Sequence, residues 1–184
     1  MKRKLLTLFL CVSVISMSAQ DVDSQYASYS PDGVPFEVAA DPWVADGLGN
    51  HRAVVRAECA AGTKAVRARL KWRRPDVKFN ITSFVIVGQK SGRRVAHFWA
   101  EKRSQEEGIV WFEPLEGEDT YLIYYMPFVL RRGSAECRFM WDYNDYVAYP
   151  DKDAEAWRAS LADENPVEAA TLRFEAVNTF EAFT

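Results

Sequence analysis

In AVRARLKWR, residues 65–73, apolar and cationic side chains alternate without a break from Val66 onward. A period of two is the pattern of a β-strand with one face on a core and the other in water. The apolar set is Val66, Ala68, Leu70 and Trp72, and the cationic set is Arg67, Arg69, Lys71 and Arg73. Residues 52–59 alternate in the same way, and residues 60–64 between the two segments contain Gly62, which is typical of a turn. The two segments therefore predict a β-hairpin with one solvent-exposed face.

Three later segments are apolar on both faces: residues 84–87, 109–112 and 121–126. In a two-layer domain, a strand with two apolar faces needs a cover on its outer side. That cover is either a flanking loop of this chain or a neighbouring domain, and the sequence leaves both alternatives open.

One segment, residues 151–163, has a clear helical period. Its apolar residues at helical spacing are Ala154, Trp157 and Leu161, and Asp151 is placed to cap the first turn. Elsewhere the apolar residues occur in short runs separated by Gly and Pro, and aromatic residues make up 14% of the chain. We therefore predict a mainly β fold, a jelly-roll-like β-sandwich with one short helix near the C-terminus.

The first residues have the composition of an export signal. A basic segment at positions 2–4 is followed by an apolar run at 5–15 and by small residues at 16–19. The apolar run is too short to cross a bilayer, which requires about 20 residues. We predict a signal peptide over residues 1–20, export to the periplasm or the cell surface, and no membrane span.

The rest of the chain divides into an extended lead-in over residues 21–46, which is polar and turn-rich, and a folded domain over residues 47–184. A net charge of −3 and an isoelectric point of about 5.5 argue against nucleic acid as a partner. The cationic face of residues 65–73 would attract an anionic partner if its charges are unpaired. Three interpretations remain open for it: an anionic glycan site, a contact with an acidic face of another domain or of the helix near Asp151, and a solvated strand face.

Carboxylates offer few catalytic candidates. Asp142 and Asp145 lie among aromatic residues in WDYNDY and are interpreted first as turn formers, while Asp163 and Glu164 resemble solvated residues after a helix. A glycosidase needs two carboxylates about 5–9 Å apart, or one acid and a group that orients a substrate acetamide. The sequence marks no such pair, and we predict no catalytic residue in this chain.

Histidine and cysteine residues are equally sparse. His51 and His97 have no partner at the spacing of metal ligands, and neither Cys59 nor Cys137 lies in a CxxC motif. A disulfide between the two cysteines and a pair of inert thiols both remain open. We predict no cofactor and no metal site.

Four phrases follow one another in a fixed order: LGNHRAVV at 48–55, KWRRPD at 71–76, GIVWFEP at 108–114 and TYLIYYMPF at 120–128. In order and spacing they resemble the N-terminal β-domain of bacterial exported enzymes related to glycoside hydrolase family 123. The resemblance implies a β-sandwich that precedes a (β/α)8 barrel, in which β-N-acetylgalactosaminides are hydrolysed with assistance from the substrate acetamide. The Asp-Glu catalytic pair of that family has no matching positions here, so this chain is expected to end before the barrel and to lack catalysis of its own.

The function implied is that of an accessory N-terminal domain that packs against a downstream barrel domain. Positions for contact with that domain or with a glycan are Trp72, Arg73, Arg74, Tyr124 and Tyr125, because aromatic faces and cations suit both partners. Two alternatives are a free-standing exported module that binds glycans or a surface, and a small enzyme that uses Asp142 and Asp145.

Overall fold

The computed structural model describes residues 28–72, 74, 78–131, 143–162 and 164–178. Within these ranges the elements follow the order β1 (Ser28–Tyr29), β2 (Pro35–Val38), β3 (His51–Arg56), β4 (Val66–Lys71), β5 (Val85–Gly88), β6 (Phe98–Arg103), β7 (Glu107–Phe112), β8 (Thr120–Tyr124), β9 (Phe128–Arg131), β10 (Tyr143–Tyr146), α1 (Asp151–Ser160) and β11 (Val167–Ala176). The predicted fold class is confirmed: the chain is mainly β, sandwich-like, with one helix in the described part. Among those residues no helix is long and apolar enough to cross a membrane.

The strands form two layers that share β11. The wide layer has the order β5, β8, β3, β11, β2, β1, and the narrow layer has the order β6, β7, β4, β11. The first residues of β11 pair in parallel with β4, and the remainder pairs antiparallel with β3. The register of β11 against β3 shifts between Thr171 and Arg173, and such an irregularity bends a strand. β11 thereby passes from one layer into the other.

The predicted hairpin of β3 with β4 is wrong. β3 pairs with β8 and β11, whereas β4 pairs with β7 and β11. Residues 57–65 therefore cross between the layers, with Gly62 at a positive φ of 87° in the turn. Both strands do turn their apolar faces toward one core, but from opposite sides. A period of two predicts which face of a strand is buried, but it does not predict which strand pairs with it.

Aromatic side chains join the two layers across the core. The rings of Phe112 in β7 and Tyr121 in β8 meet edge to face, with centroids 4.8 Å apart. Just beyond β4 and β8, the rings of Trp72 and Tyr125 stack with centroids 4.7 Å apart. All four belong to the same buried cluster, which defines the space between the layers as the main core.

The outer face of the narrow layer is covered by α1. Trp111 of β7 is buried together with Leu161, and Trp157 packs against both. The guanidinium of Arg158 lies 5.0 Å from the ring centre of Trp111. The second apolar face of residues 109–112 is thus covered, at Trp111, by the helix of this chain. That helix begins differently from the prediction, because Pro150 occupies the cap position and Asp151 is its first residue.

The outer face of the wide layer is covered in part by the lead-in segment. The ring of Trp43 meets Tyr124 of β8 edge to face at 5.4 Å, and the guanidinium of Arg52 lies 4.3 Å from the ring centre of Trp43. The same segment supplies β1 and β2, and β2 pairs in parallel with the end of β11. Residues 28–46 are therefore part of the sandwich, as strands at one edge and as a cover for its face.

Candidate functional site

Four of the predicted contact residues are buried inside the domain. Trp72 and Tyr125 are each 2% exposed, and Arg74 and Tyr124 are each 4% exposed; Arg73 lies outside the described residues. Trp72 and Tyr125 stack on each other and the Arg74 guanidinium lies 5.4 Å from the Trp72 ring centre, whereas Tyr124 faces Trp43 on the opposite side of β8. Such burial leaves their side chains almost no surface for a glycan.

Trp72 is held by two of the other phrases. Its indole N–H donates to the Ser104 carbonyl at 3.0 Å, and its ring lies against Gly108, the first residue of GIVWFEP. A Cβ at Gly108 would be 2.0 Å from the Trp72 ring. Tyr125, from TYLIYYMPF, stacks on the same ring. Glycine at position 108 is therefore required by the tryptophan of KWRRPD.

The phrases LGNHRAVV and TYLIYYMPF also pack against each other at a glycine. Gly49 has a positive φ of 86°, and a Cβ there would be 2.2 Å from the Met126 carbonyl oxygen. The Gly49 carbonyl accepts a hydrogen bond from the Trp43 indole at 2.7 Å. The four phrases are therefore connected through direct packing. Their residues form the contacts that hold the layers together.

A polar cavity of about 560 Å³ lies beside Arg74, at the end of the narrow layer. Its wall includes Lys71, Arg74, Lys102, Gln105, Glu106 and Glu107. The loop between β6 and β7 is fixed at this wall, because the Ser104 hydroxyl donates to the Glu107 carbonyl at 2.9 Å and the Arg74 N–H donates to the Gln105 carbonyl at 2.8 Å. A cavity of this volume matches a small ligand. Its described lining contains no aromatic ring, so hydrogen bonds would dominate recognition.

Glu107, on the wall of the cavity, suits binding better than proton transfer. Glu107 accepts a hydrogen bond from Arg69 at 2.9 Å and lies 3.4 Å from Lys102. The hydrogen bond from Arg69 holds the pKa of Glu107 below its ordinary value, although burial acts in the opposite direction. A general acid needs a raised pKa. Glu107 is thus an ionised acceptor at neutral pH.

The cationic face of residues 65–73 is neutralised by carboxylates of the chain itself. Arg67 contacts Glu101 at 2.8 Å and Glu168 at 3.1 Å, and Lys71 lies 4.0 Å from Asp32. Because Arg69 is bound to Glu107, each described cation of the face has an acidic neighbour. The condition for attracting an anionic partner, that the charges are unpaired, is therefore not met by Arg67, Arg69 or Lys71, and Arg73 lies outside the described residues. No local sequence pattern could predict this pairing, because Glu101 and Glu168 lie 34 and 101 positions from Arg67.

The remaining carboxylate candidates are surface groups. Asp145 lies in β10, paired with Val129 of β9, and its carboxylate is 3.3 Å from the Arg131 guanidinium. Its interpretation as a turn former is therefore wrong. Glu164 is exposed and pairs with Lys64 at 2.5 Å. Asp142 and Asp163 lie outside the described residues.

The histidines and Cys59 also have structural surroundings. His51 is buried against the rings of Phe36 and Tyr125, and exposed His97 stacks on Trp157 with centroids 6.5 Å apart. Cys59 is a half-buried free thiol whose pKa is raised by burial, and Cys137 falls outside the described ranges. No group of three His, Cys, Asp or Glu side chains among the described residues could hold a metal ion.

Comparison with protein families identifies the domain that this packing builds. The family model of the glycoside hydrolase 123 N-terminal domain matches residues 41–177. The chain belongs to this family. Comparisons with curated proteins and with solved structures give no match.

The match to the glycoside hydrolase 123 N-terminal domain begins before Trp43 and ends just after β11, so it includes all four phrases and every element from β3 to β11. The structural pairs Trp72 with Gly108 and Gly49 with Met126 fall within it. An N-terminal domain of a glycoside hydrolase family implies a C-terminal catalytic partner domain. The family assignment therefore confirms the resemblance drawn from the phrases.

Proposed function

We propose that this chain is the accessory N-terminal domain of an exported glycoside hydrolase that acts on β-N-acetylgalactosaminides, and that its role is to support the downstream catalytic barrel. The single observation that carries the proposal is the family match over residues 41–177. Export is supported by the basic, apolar and small-residue segments within residues 1–20. The substrate class follows from the family resemblance.

The carboxylates support a non-catalytic role for this domain. In the described residues, the carboxyl groups with a displaced pKa all have it lowered: Glu101, Glu107, Glu118 and Asp119. At Glu118 burial is the largest single influence and raises the pKa, but the hydrogen bonds at Lys90 and Ser91 together outweigh it. At the other three, hydrogen bonds from arginine or lysine favour the ionised form. A glycosidase acid must instead retain its proton near neutral pH, which requires a raised pKa.

The test compares residues 21–184 with the polypeptide encoded by the complete reading frame. Residues 21–184 should not hydrolyse an aryl β-N-acetylgalactosaminide, whereas the complete polypeptide should. Hydrolysis by residues 21–184 that disappears in Asp142→Asn or Asp145→Asn would overturn the proposal. Export is tested by N-terminal sequencing of secreted material, which should begin between Ala19 and Asp21.

A second candidate function, a glycan-binding module, is favoured by the polar cavity beside Arg74. Gln105 and Glu106 line it and are exposed to solvent, so both can bind sugar hydroxyl groups. Titration of residues 21–184 with N-acetylgalactosamine should then give binding that Gln105→Ala weakens. The matched control is Glu116→Ala, which lies at a separate cavity of about 390 Å³. Equal affinity in the parent and Gln105→Ala would exclude this site.

A further inference from the structure

β11 ends at one end of the wide layer. The Ala39 N–H donates to the Ala176 carbonyl at 2.9 Å, and the Val177 N–H donates to the Asn50 carbonyl at 2.9 Å. The end of β11 therefore lies beside residues 39–50. We call the surface formed by residues 38–50, 81–84 and 127–131 the exit end.

Hydrogen bonds tie the segments of the exit end together. The Leu130 N–H donates to the Asp46 carboxylate at 2.9 Å, which joins the first segment to the third. The second segment is joined to the third through Val147: the Ser83 N–H donates to the Val147 carbonyl at 2.8 Å, and the Val147 N–H donates to the Pro127 carbonyl at 3.0 Å. The exit end is thus a preformed surface.

Exposed apolar side chains are concentrated at the exit end. Among the described residues, the large apolar side chains that are exposed are Tyr29, Val38, Val44, Ile81, Leu130 and Leu172. Four of these six belong to the exit end, namely Val38 at 42%, Val44 at 78%, Ile81 at 54% and Leu130 at 48% exposed. Scattered exposed apolar residues are ordinary, but a concentration on one surface marks an interaction site.

Two other described surfaces are occupied or polar. The outer face of the narrow layer carries α1 over Trp111, and beside it Arg67 is paired with Glu101 and Glu168. The cavity beside Arg74 is lined by charged and polar groups. Binding of an apolar partner would be least favourable at these two surfaces, because it would remove water from their charged groups.

We infer that the exit end is the docking surface for the catalytic domain that follows β11 on the same polypeptide. The inference rests on the proposed function, which supplies that domain. A domain joined to the chain beyond Val177 is attached next to this surface, and a short linker would hold it there at an effective concentration in about the millimolar range. Burial of the four exposed apolar side chains then favours contact at the exit end.

Hydrogen exchange followed by mass spectrometry tests the inference. Peptides covering residues 39–50 and 127–131 should exchange more slowly in the complete polypeptide than in residues 21–184 alone. Peptides around Tyr29 and Leu172 should exchange equally in both, since these residues are exposed and lie outside the exit end. Protection that appears only on α1 or around Leu172 would overturn the inference.

Paired variants give a second readout. In the complete polypeptide, Val44→Glu with Leu130→Glu should abolish the protection, while Tyr29→Glu with Leu172→Glu should preserve it. Each pair is also made in residues 21–184, where unchanged thermal unfolding shows that the domain still folds. Retained protection in the Val44→Glu and Leu130→Glu variant would contradict the inference. Hydrolysis of the aryl substrate is scored separately, so an inactive complete polypeptide refutes the proposed function, and an active one with protection elsewhere refutes only the docking surface.

Discussion

At Gly108, only a hydrogen atom fits beneath the indole ring of Trp72. A Cβ there would lie 2.0 Å from the ring, and Tyr125 and the Ser104 carbonyl limit how far the ring can move. Gly108→Ala should therefore lower the free energy of unfolding by about 1–3 kcal/mol, the usual cost of overpacking a core. Urea unfolding of residues 21–184 measures the change.

A double-mutant cycle provides the control for that contact. Trp72→Phe shortens the ring system above position 108 and should cost stability on its own. The double variant with Gly108→Ala should cost less than the sum of the single variants, because the smaller ring makes room for the methyl group. Strictly additive costs would show that Trp72 and position 108 do not share one space.

The pair of Arg67 with Glu101 makes stability depend on acid pH. The hydrogen bond from Arg67 is the main cause that holds the pKa of Glu101 below its ordinary value of 4.5. A carboxyl group with a lowered folded-state pKa contributes stability that is complete above its unfolded-state pKa and is lost as the pH falls through the folded-state value. Its contribution should therefore decline from near pH 4.5 downward.

Thermal unfolding between about pH 3 and pH 7 measures this dependence. Glu101→Gln keeps an oxygen for the Trp111 indole, which donates to Glu101 at 2.7 Å, but removes the titrating group. The variant should lose less stability in acid than the parent does. Glu116→Gln, at an exposed position, is the matched control and should follow the parent. Identical acid profiles for parent and Glu101→Gln would contradict the prediction.

At the level of single residues, the sequence predicted which strand face is buried but not which side chains pair with each other. Alternation correctly placed Val66 and Leu70 in the core. It could not show that Glu168, 101 positions from Arg67, neutralises the opposite face. It also suggested that Trp72, flanked by cations, lies near a contact surface. The ring of Trp72 packs instead against Gly108, which lies in a distant phrase, so local alternation could not show this contact.

Among the elements, α1 acts as a cover for the narrow layer. Leu161, just beyond its last residue, is buried with Trp111. Leu161→Ala should lower the free energy of unfolding by about 2–5 kcal/mol, the range for a buried leucine. It should also move the tryptophan fluorescence of the folded domain to longer wavelength, because water then reaches Trp111. Glu155→Ala, on the exposed side of α1, should leave both stability and emission close to the parent; an equal effect of the two variants would contradict the role of α1 as a cover.

Element boundaries were more predictable than element pairing. The helical period of residues 151–163 predicted α1, observed over Asp151–Ser160, because three apolar side chains at helical spacing are a local signal. The glycine-containing turn at 60–64 suggested a hairpin because a hairpin and a crossover between layers share the same turn residues. The neighbour of β3 on that side is β11, which lies more than a hundred positions later, as the 123-residue separation of Arg52 and Glu175 illustrates.

At the scale of the whole molecule, the folded domain begins before the family match. β2 pairs with β11, and Phe36 stacks on Phe174 with centroids 6.1 Å apart, although the match starts at residue 41. Removal of residues 21–40 should cost about 2 kcal/mol or more, since it uncovers apolar surface and one edge of β11. The shortened domain should also self-associate through that edge.

Thermal unfolding and size-exclusion chromatography measure both effects. Phe36→Ala should reproduce part of the stability loss, whereas Tyr29→Ala, at a side chain that is 64% exposed, should change stability by no more than about 0.5 kcal/mol. A monomeric fragment of residues 41–184 with the stability of the parent would show that the family boundary is also the physical one.

The position of β11 in both layers has a consequence for the time at which the domain can fold. During synthesis, β3 and β4 are made early, but β11, which lies between them, is the last of the described strands to be made. Contacts as distant as Arg52 with Glu175 impose a large loop-closure entropy, which makes folding slow. Pulse-labelled refolding should show β3, β4 and β11 gaining protection together, and early protection of β3 and β4 alone would contradict this order. Until that strand leaves the ribosome, the polypeptide remains without a closed sandwich, in a state that a chaperone can still bind.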